Sequence, residues 1–320
     1  MKKDIGIFSL LAVLCIFTAA FNPRFFSVEN LTNTANIIGL YGVFSIGLGL
    51  VIITGGIDLS VGSMFALTGV LLTMGISDWH WPWPAAVIFA LFLPMALGWG
   101  HGWLITRMNL QPFIVTLCGL LIYRGLARFI AGDSTTGFSS SIDLKVLRAV
   151  TSGSLLGVPM PFVIMIIVAV TMWIVLHRSV YGRYLFAVGR NEQAARFSGI
   201  NTRRVITSAY VIGGLLTGIS GILFAMFTNS VSPSNHGNFF ESYGIAAAVL
   251  GGCSLRGGEG SIIGIVIGTA LLQVLQNLVN LLGIDSSLTF TIMGTVLLLG
   301  VLVDQILQKR AAKKMARAPK

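Results

Sequence analysis

The chain has 320 residues, 55% of them hydrophobic and only 10% charged, with a formal net charge of +10 and a mean hydropathy of +0.86. A soluble domain carries about 25% charged residues, so the composition excludes that class and predicts an all-α polytopic membrane protein. The basic excess does not imply a nucleic-acid partner, because the charges flank apolar runs and no aromatic-interleaved basic stripe accompanies them.

About 20 apolar residues cross a hydrocarbon core about 30 Å thick. On that measure about ten transmembrane helices are expected, over 5–21, 33–54, 60–76, 84–105, 111–131, 159–177, 205–228, 241–255, 260–282 and 288–307. The first has a signal-peptide outline, with Lys2 and Lys3 before an apolar run and Ala19 and Ala20 after it. Its run is long for a signal segment, so it reads as a retained span. The eighth is the least secure, being short and ending in glycines. No linker interrupts the chain, and residues 1–320 read as a single integral domain. Cys15, Cys118 and Cys253 lie in or beside apolar spans, so neither a disulfide nor a metal cluster is expected.

With ten spans both termini share one face. Lys2, Lys3, Arg107, the six arginines from Arg178 to Arg204, Arg256 and the basic tail all fall there, whereas Arg24, Lys145 and Arg148 fall opposite. The positive-inside bias makes the first face cytoplasmic. The chain is therefore expected as a multi-pass membrane protein with both termini cytoplasmic. On the outer face, "SDWHWPWPA" (77–85) reads as an interfacial aromatic belt.

Two segments on the cytoplasmic face share a grammar of paired glycines, polar turn and apolar run. In "ITGGIDLSVGSMFAL" (53–67), Gly55 and Gly56 permit a backbone break, while Asp58 and Ser60 offer cap chemistry. In "VLGGCSLRGGEGSIIG" (249–264), Gly251, Gly252, Gly257 and Gly258 do the same. Interrupted helices of this kind form gates or binding regions in transporters, and tight static packing is the competing reading. Arg124 and Arg128, one turn apart in the fifth span, read either as interface anchors or as a polar lining. Gln273, Gln276, Asn277 and Asn280 form one polar stripe on the ninth helix, which is a pathway candidate as well as a helix–helix contact.

Residues 178–204, a cytoplasmic loop, contain "GRNEQAARFSGINTRR" (189–204). Asn191 is placed to cap a short helix, Glu192 suits its dipole and Gly199 ends it. Such a helix lying on the membrane surface is a candidate coupling element. The chain has no GxxxxGK[ST] phosphate loop, so ATP-driven work requires another chain or a domain absent from this sequence.

The segments "GGIDLSVGS", "PFIVTL", "YRGLA", "GRYLFAVGRNEQAARFSGIN", "IAAAVLGGCSLRGGEGS" and "VDQILQKR" occur in the order seen in permeases of ribose/xylose-type ABC sugar importers, which this chain resembles from about residue 30 to 310. The resemblance implies an ABC importer permease fold of about ten helices. It also implies a homo- or heterodimer of permease subunits, a cytoplasmic tandem-domain ABC ATPase and a periplasmic or extracellular sugar-binding protein. ATP and Mg belong on the ATPase, and this chain is expected to hold no cofactor or metal and to have no catalytic residue. Asn191, Glu192, Ala194, Ala195 and Gly199 match the family's coupling loop, where small residues permit close seating. The chain departs from the usual family pattern at His101, Cys118, Tyr243, Gly244 and Cys253, positions that bear on substrate identity. An ABC permease for an amino acid or other small solute is the alternative. A more distant one is an ion-coupled secondary transporter using Asp58, Asp133 or Glu241.

Overall fold

A computed structural model describes residues 2–139, 142–285, 288, 291–292, 294–295 and 298. The expected span 288–307 and the basic tail thus lie outside the described residues, apart from those few positions.

In chain order the elements are α1 (Lys2–Phe21), α2 (Val28–Ile53), α3 (Val61–Ser77), α4 (Trp83–Arg107), α5 (Pro112–Ile130), β1 (Thr136–Gly137), α6 (Lys145–Thr151), β2 (Ser154–Leu155) and β3 (Val158–Pro159). They continue as α7 (Met160–Arg178), α8 (Val180–Arg190), α9 (Glu192–Phe197), α10 (Thr202–Thr228), β4 (Ser230–Val231), α11 (Phe240–Leu250) and α12 (Ile262–Leu281). Six of these, α2, α4, α5, α7, α10 and α12, are long and apolar enough to cross a membrane. Shorter apolar helices stand at Gly6–Phe21, Val61–Ser77 and Phe240–Leu250. The protein is a polytopic helical bundle, and nine of the ten expected spans coincide with an apolar helix.

Two of those nine differ from the expectation in kind. The eighth span, expected over 241–255, is the 11-residue helix α11, about 16 Å long at 1.5 Å per residue. Gly251 and Gly252 end it, and residues 251–261 form a turn segment. Helix α3 has 17 residues, about 25 Å, and its start is buried beside α11. Neither helix spans about 30 Å of hydrocarbon on its own.

Helix α2 forms the axis, buried from Gly39 to Ile53 except at Tyr41, and packs against α7, α10, α11 and α12. Helices α4, α5 and α7 form the periphery and keep apolar lateral faces exposed. Burial against another helix gains little over burial in acyl chains, so close approach through small residues holds such bundles together. The α4–α10 seam illustrates this: a Cβ on Gly214 would overlap the Pro94 carbonyl, and one on Gly98 would overlap the Tyr210 carbonyl.

At one end of the bundle sit α8 and α9. At the other sit α6 and two small antiparallel pairs, β1 with β4 and β2 with β3. The β1–β4 pairing ties the 132–158 connection to the segment that precedes α11.

Candidate functional site

Helix α9 is short but closed at both ends. Asn191 takes an extended conformation, with φ −162°, separating α8 from α9, and its Oδ1 accepts from the Ala194 N–H at 2.9 Å. At the far end the Gly199 N–H donates to the Arg196 carbonyl and the Ile200 N–H to the Ala195 carbonyl, both at 3.1 Å. Gly199 has φ +84°, the left-handed geometry that this double closure requires and that glycine adopts without strain. Asn201 then caps α10 through the Arg204 N–H at 3.1 Å. The cap and the terminator are thus the residues that the spacing predicts. Helix α8, unforeseen in the sequence, is amphipathic: Gly182, Leu185 and Val188 are buried, and its arginines Arg183 and Arg190 point away from the core.

The glycine segments converge beneath this lever. The Gly258 N–H donates to the Ile53 carbonyl, the last of α2, at 2.8 Å. A Cβ on Gly189, in the last turn of α8, would overlap both the Ile53 carbonyl and the Gly258 nitrogen. A Cβ on Gly257 would come to 2.7 Å from the Gly189 carbonyl and 2.9 Å from the Gly55 nitrogen. Gly55, Gly252, Gly257 and Gly258 have φ between +74° and +89°. Three chain segments, 53–56, 189–190 and 257–258, therefore touch backbone to backbone with no side chain to cushion them. The end of α8 thus rests on the end of α2 and on the turn between α11 and α12.

A second cluster lies deeper. Phe44 of α2 packs on Phe65 of α3 (ring centroids 5.2 Å apart) and stacks on Phe240 of α11 at 5.8 Å. Phe44 stands nine residues before the end of α2, so these contacts lie about 14 Å along the helix from the glycine junction. The early turns of α3 and α11 thus sit near mid-depth in the bundle. Non-helical backbone at such depth needs internal hydrogen-bond partners, and the bundle supplies them. The Ile57 carbonyl accepts from Thr116 Oγ1 at 3.1 Å and from the Tyr210 hydroxyl at 3.3 Å. The Arg124 guanidinium donates to the carbonyls of His236 at 2.8 Å, Pro233 at 3.0 Å and Gly62 at 3.2 Å.

Two buried carboxylates complete this cluster. Asp58 Oδ1 accepts from the Ser60 N–H at 2.9 Å and the Ser60 hydroxyl at 2.6 Å, which closes the turn into α3. Ser60 itself makes no side-chain cap. Glu241, in the first turn of α11, lies with Oε2 against Gly62, so that a Cβ there would stand 2.5 Å away. The acid benefits from the amino-terminal ends of both half-helices. His101 Nε2 meets the Tyr123 hydroxyl at 2.8 Å, and Asp58 is within electrostatic reach of both. Among the described residues no His/Cys/Asp/Glu cluster is suited to a metal.

A family profile described as branched-chain amino acid transport system / permease component matches residues 30–303. The chain belongs to this permease family. The ribose import permease of Bacillus subtilis (strain 168) is 36% identical over 306 residues, covering 95% of this chain and 94% of that one. The ribose import permease of Escherichia coli (strain K12) is 39% identical over 296 residues, covering 92% and 91%. The fructose import permease of Rhizobium meliloti is 31% identical over 308 residues, covering 95% and 85%.

In the permease the residues singled out from sequence fall into three places. The α9 residues and the glycines Gly55, Gly251, Gly252, Gly257 and Gly258 gather at one end, although nothing in their spacing joins them. Gly56 packs near Tyr210, between the junction and the deep cluster that holds Asp58. The α12 stripe divides: Gln273 is buried, Gln276 and Asn277 are half-buried and Asn280 is exposed. Asn277 exchanges hydrogen bonds with Asn30 of α2 at 2.7 and 3.2 Å, which is a helix–helix contact. Ala195 is 4% exposed and packs inward, whereas Phe197, overlooked in the sequence, is 92% exposed on α9. An aromatic in an otherwise polar surface helix was the signal available. Arg124 turns inward to the carbonyls, and Arg128 pairs with Asp133 at the surface, so the two arginines serve different ends.

Proposed function

We propose that the permease is the membrane subunit of an ATP-driven importer that moves a monosaccharide by alternating access. It works with a second permease subunit, a cytoplasmic tandem-domain ATPase and a sugar-binding protein on the opposite face. The observation that carries this reading is the seating of α8, which leads directly into α9, on the glycine junction. Helix α9, closed at both ends with Phe197 and Glu192 outward, continues α8, whose Gly189 rests on the end of α2 and on the 257–258 turn between α11 and α12. Force applied at α9 by the ATPase passes through Gly189 to Ile53 and Gly258, and so to the half-helices α3 and α11. Arg124 links the start of α3, through the Gly62 carbonyl, to the segment that leads into α11, through the carbonyls of Pro233 and His236, so the two move together. ATP and Mg are held on the ATPase, and no covalent bond changes in this chain.

The sugar class is supported by relatives named for ribose, fructose and D-allose. Amino-acid transport remains the second reading because the family description names it. Ion-coupled transport is disfavoured at two of the three carboxylates it would use: Asp58 closes the Ser60 turn and Asp133 is paired with Arg128.

The test is reconstitution with the cognate ATPase and binding protein, scoring uptake of labelled ribose, fructose, allose and leucine. ATP-dependent sugar uptake is expected. Uptake driven by an ion gradient without the ATPase would overturn the reading, and leucine uptake alone would replace the substrate class.

A further inference from the structure

At the α9 end, the last turns of α4 and the first turns of α10 part around an open groove of about 530 Å³. The α4 side carries Trp99, Trp103 and Arg107 at successive turns, and the α10 side carries Arg203 and Arg204. All three arginines are exposed, and among the described residues none has an acidic partner. The groove opens beside the amino terminus of the 27-residue helix α10, which adds positive potential. It therefore concentrates uncompensated positive charge.

The lateral side of the groove is apolar. Ile88, Phe92, Trp99 and Trp103 are all exposed, and their spacing of four, seven and four places them on one face of α4. This lane runs from the groove along the helix toward the middle of the bundle's lateral surface. Indoles settle at the boundary between headgroups and hydrocarbon, which puts the three guanidiniums at headgroup level. A basic head joined to an apolar lane matches a ligand with an anionic head and acyl tails. A soluble protein partner would match the arginines and leave the lane unused.

We infer that this groove binds an anionic phospholipid. Its phosphate is held by Arg203 and Arg204 with Arg107, its glycerol lies beside Trp99 and Trp103, and its chains follow Phe92 and Ile88. The α10 start that it grips follows α9 by four residues, so the lipid steadies the base of the lever. The inference requires only a membrane-embedded permease and not the transported solute.

The full-length chain, purified in detergent, is titrated with phosphatidylglycerol or phosphatidylcholine and analysed by native mass spectrometry, with inorganic phosphate as a competitor. Phosphatidylglycerol should be retained in preference. The R203Q/R204Q variant should weaken it about thirtyfold, at about fivefold per guanidinium. The variant K145Q/R148Q, at the other end, should leave it unchanged. Equal retention of both lipids, or unchanged retention in R203Q/R204Q, overturns the inference. Displacement by millimolar phosphate reassigns the groove to a free anion. Loss of ATPase association with lipid retention intact reassigns the arginines to protein docking. Should the arginine variant not fold, wild type in vesicles gives the answer. Brominated phosphatidylglycerol should quench its tryptophan fluorescence more than brominated phosphatidylcholine, and W99F/W103F should remove the difference. Equal quenching by the two lipids overturns the inference.

Discussion

The guanidinium of Arg124 and the carbonyl of His236 lie 2.8 Å apart across 112 residues of chain, and the same guanidinium reaches the carbonyls of Pro233 and Gly62. One side chain thus satisfies the backbone where two helices begin inside the bundle. Replacing Arg124 with leucine takes the donor from the non-helical carbonyls of Pro233 and His236, at about 1–3 kcal/mol for each buried group, and leaves the Gly62 carbonyl to its helical partner alone. Arg124→Leu should lower the thermal midpoint of the purified chain by many degrees. Arg124→Lys should recover part of that loss, because a point charge cannot reproduce the planar fork. A leucine variant that melts within a degree or two of wild type would show that the carbonyls find other partners.

At the glycine junction two substitutions separate crowding from conformation. Gly189→Ala puts a methyl into the Ile53 carbonyl, so α8 must shift and α9 with it. Gly199→Ala meets no atom within 4 Å, but forces an L residue to φ +84°, a strain of about 1 kcal/mol confined to the helix end. In proteoliposomes with ATPase and binding protein, Gly189→Ala should abolish coupled uptake while ATP hydrolysis persists. Gly199→Ala should reduce uptake only a few-fold. Equal effects would mean that the junction does not transmit the motion.

These features differ in how far the sequence foretells them. Apolar windows, the Asn191 cap and the Gly199 terminator depend on local chemistry and can be read directly. Asp58 as a turn closer is equally local. The deep starts of α3 and α11 are not legible, because a glycine break has the same letters at the membrane surface as at mid-depth. Arg124 illustrates the limit. An arginine one turn from Arg128 carries no mark that it turns inward to carbonyls 62 and 112 residues away. Helix α8 is hidden by its arginines, which resemble a positive-inside loop until Leu185 and Val188 are seen to be buried.

Phe197 is the test of α9 as a docking element. With 92% of its surface exposed, it adds little to the fold, so Phe197→Ala should leave the thermal midpoint unchanged. If the ATPase receives that ring, the variant should weaken association about tenfold or more, as burial of an aromatic anchor at an interface implies. Association of permease and ATPase, measured in detergent by interferometry, decides it. Wild-type affinity in the variant would move the contact elsewhere on the 178–204 segment.

The Asn30–Asn277 pair and Gln276 divide the α12 stripe into packing and pathway. A double-mutant cycle on Asn30 and Asn277 should give a coupling of about 0.6 kcal/mol in stability, the average for such contacts between membrane helices. Gln276→Leu tests the other half. It should raise the KM for uptake with stability unchanged if Gln276 lines the route. Unchanged kinetics would return the whole stripe to helix packing.

Asp133 supplies a pH-dependent strap at the α6 end. It accepts from Arg128 Nε at 2.8 Å and Nη2 at 2.6 Å, and from Ser234 Oγ at 3.1 Å, so it ties the end of α5 to the segment before α11. The Arg128 hydrogen bond, opposed by partial desolvation and aided by Ser234, holds its carboxyl below the ordinary carboxylate value. A group whose folded pKa is depressed contributes fully above its unfolded pKa of about 3.9. That contribution fades as the pH falls through the lower folded value. A spin label at Asn235, which is exposed on the strapped segment, should report constant restriction from pH 7 to 5 and release only below about pH 4. In Asp133→Asn the label should show at every pH the mobility that wild type reaches only below about pH 4, with Arg124 still holding the carbonyls of Pro233 and His236. Release of the wild-type segment already between pH 7 and 5 would mean that a different group holds it.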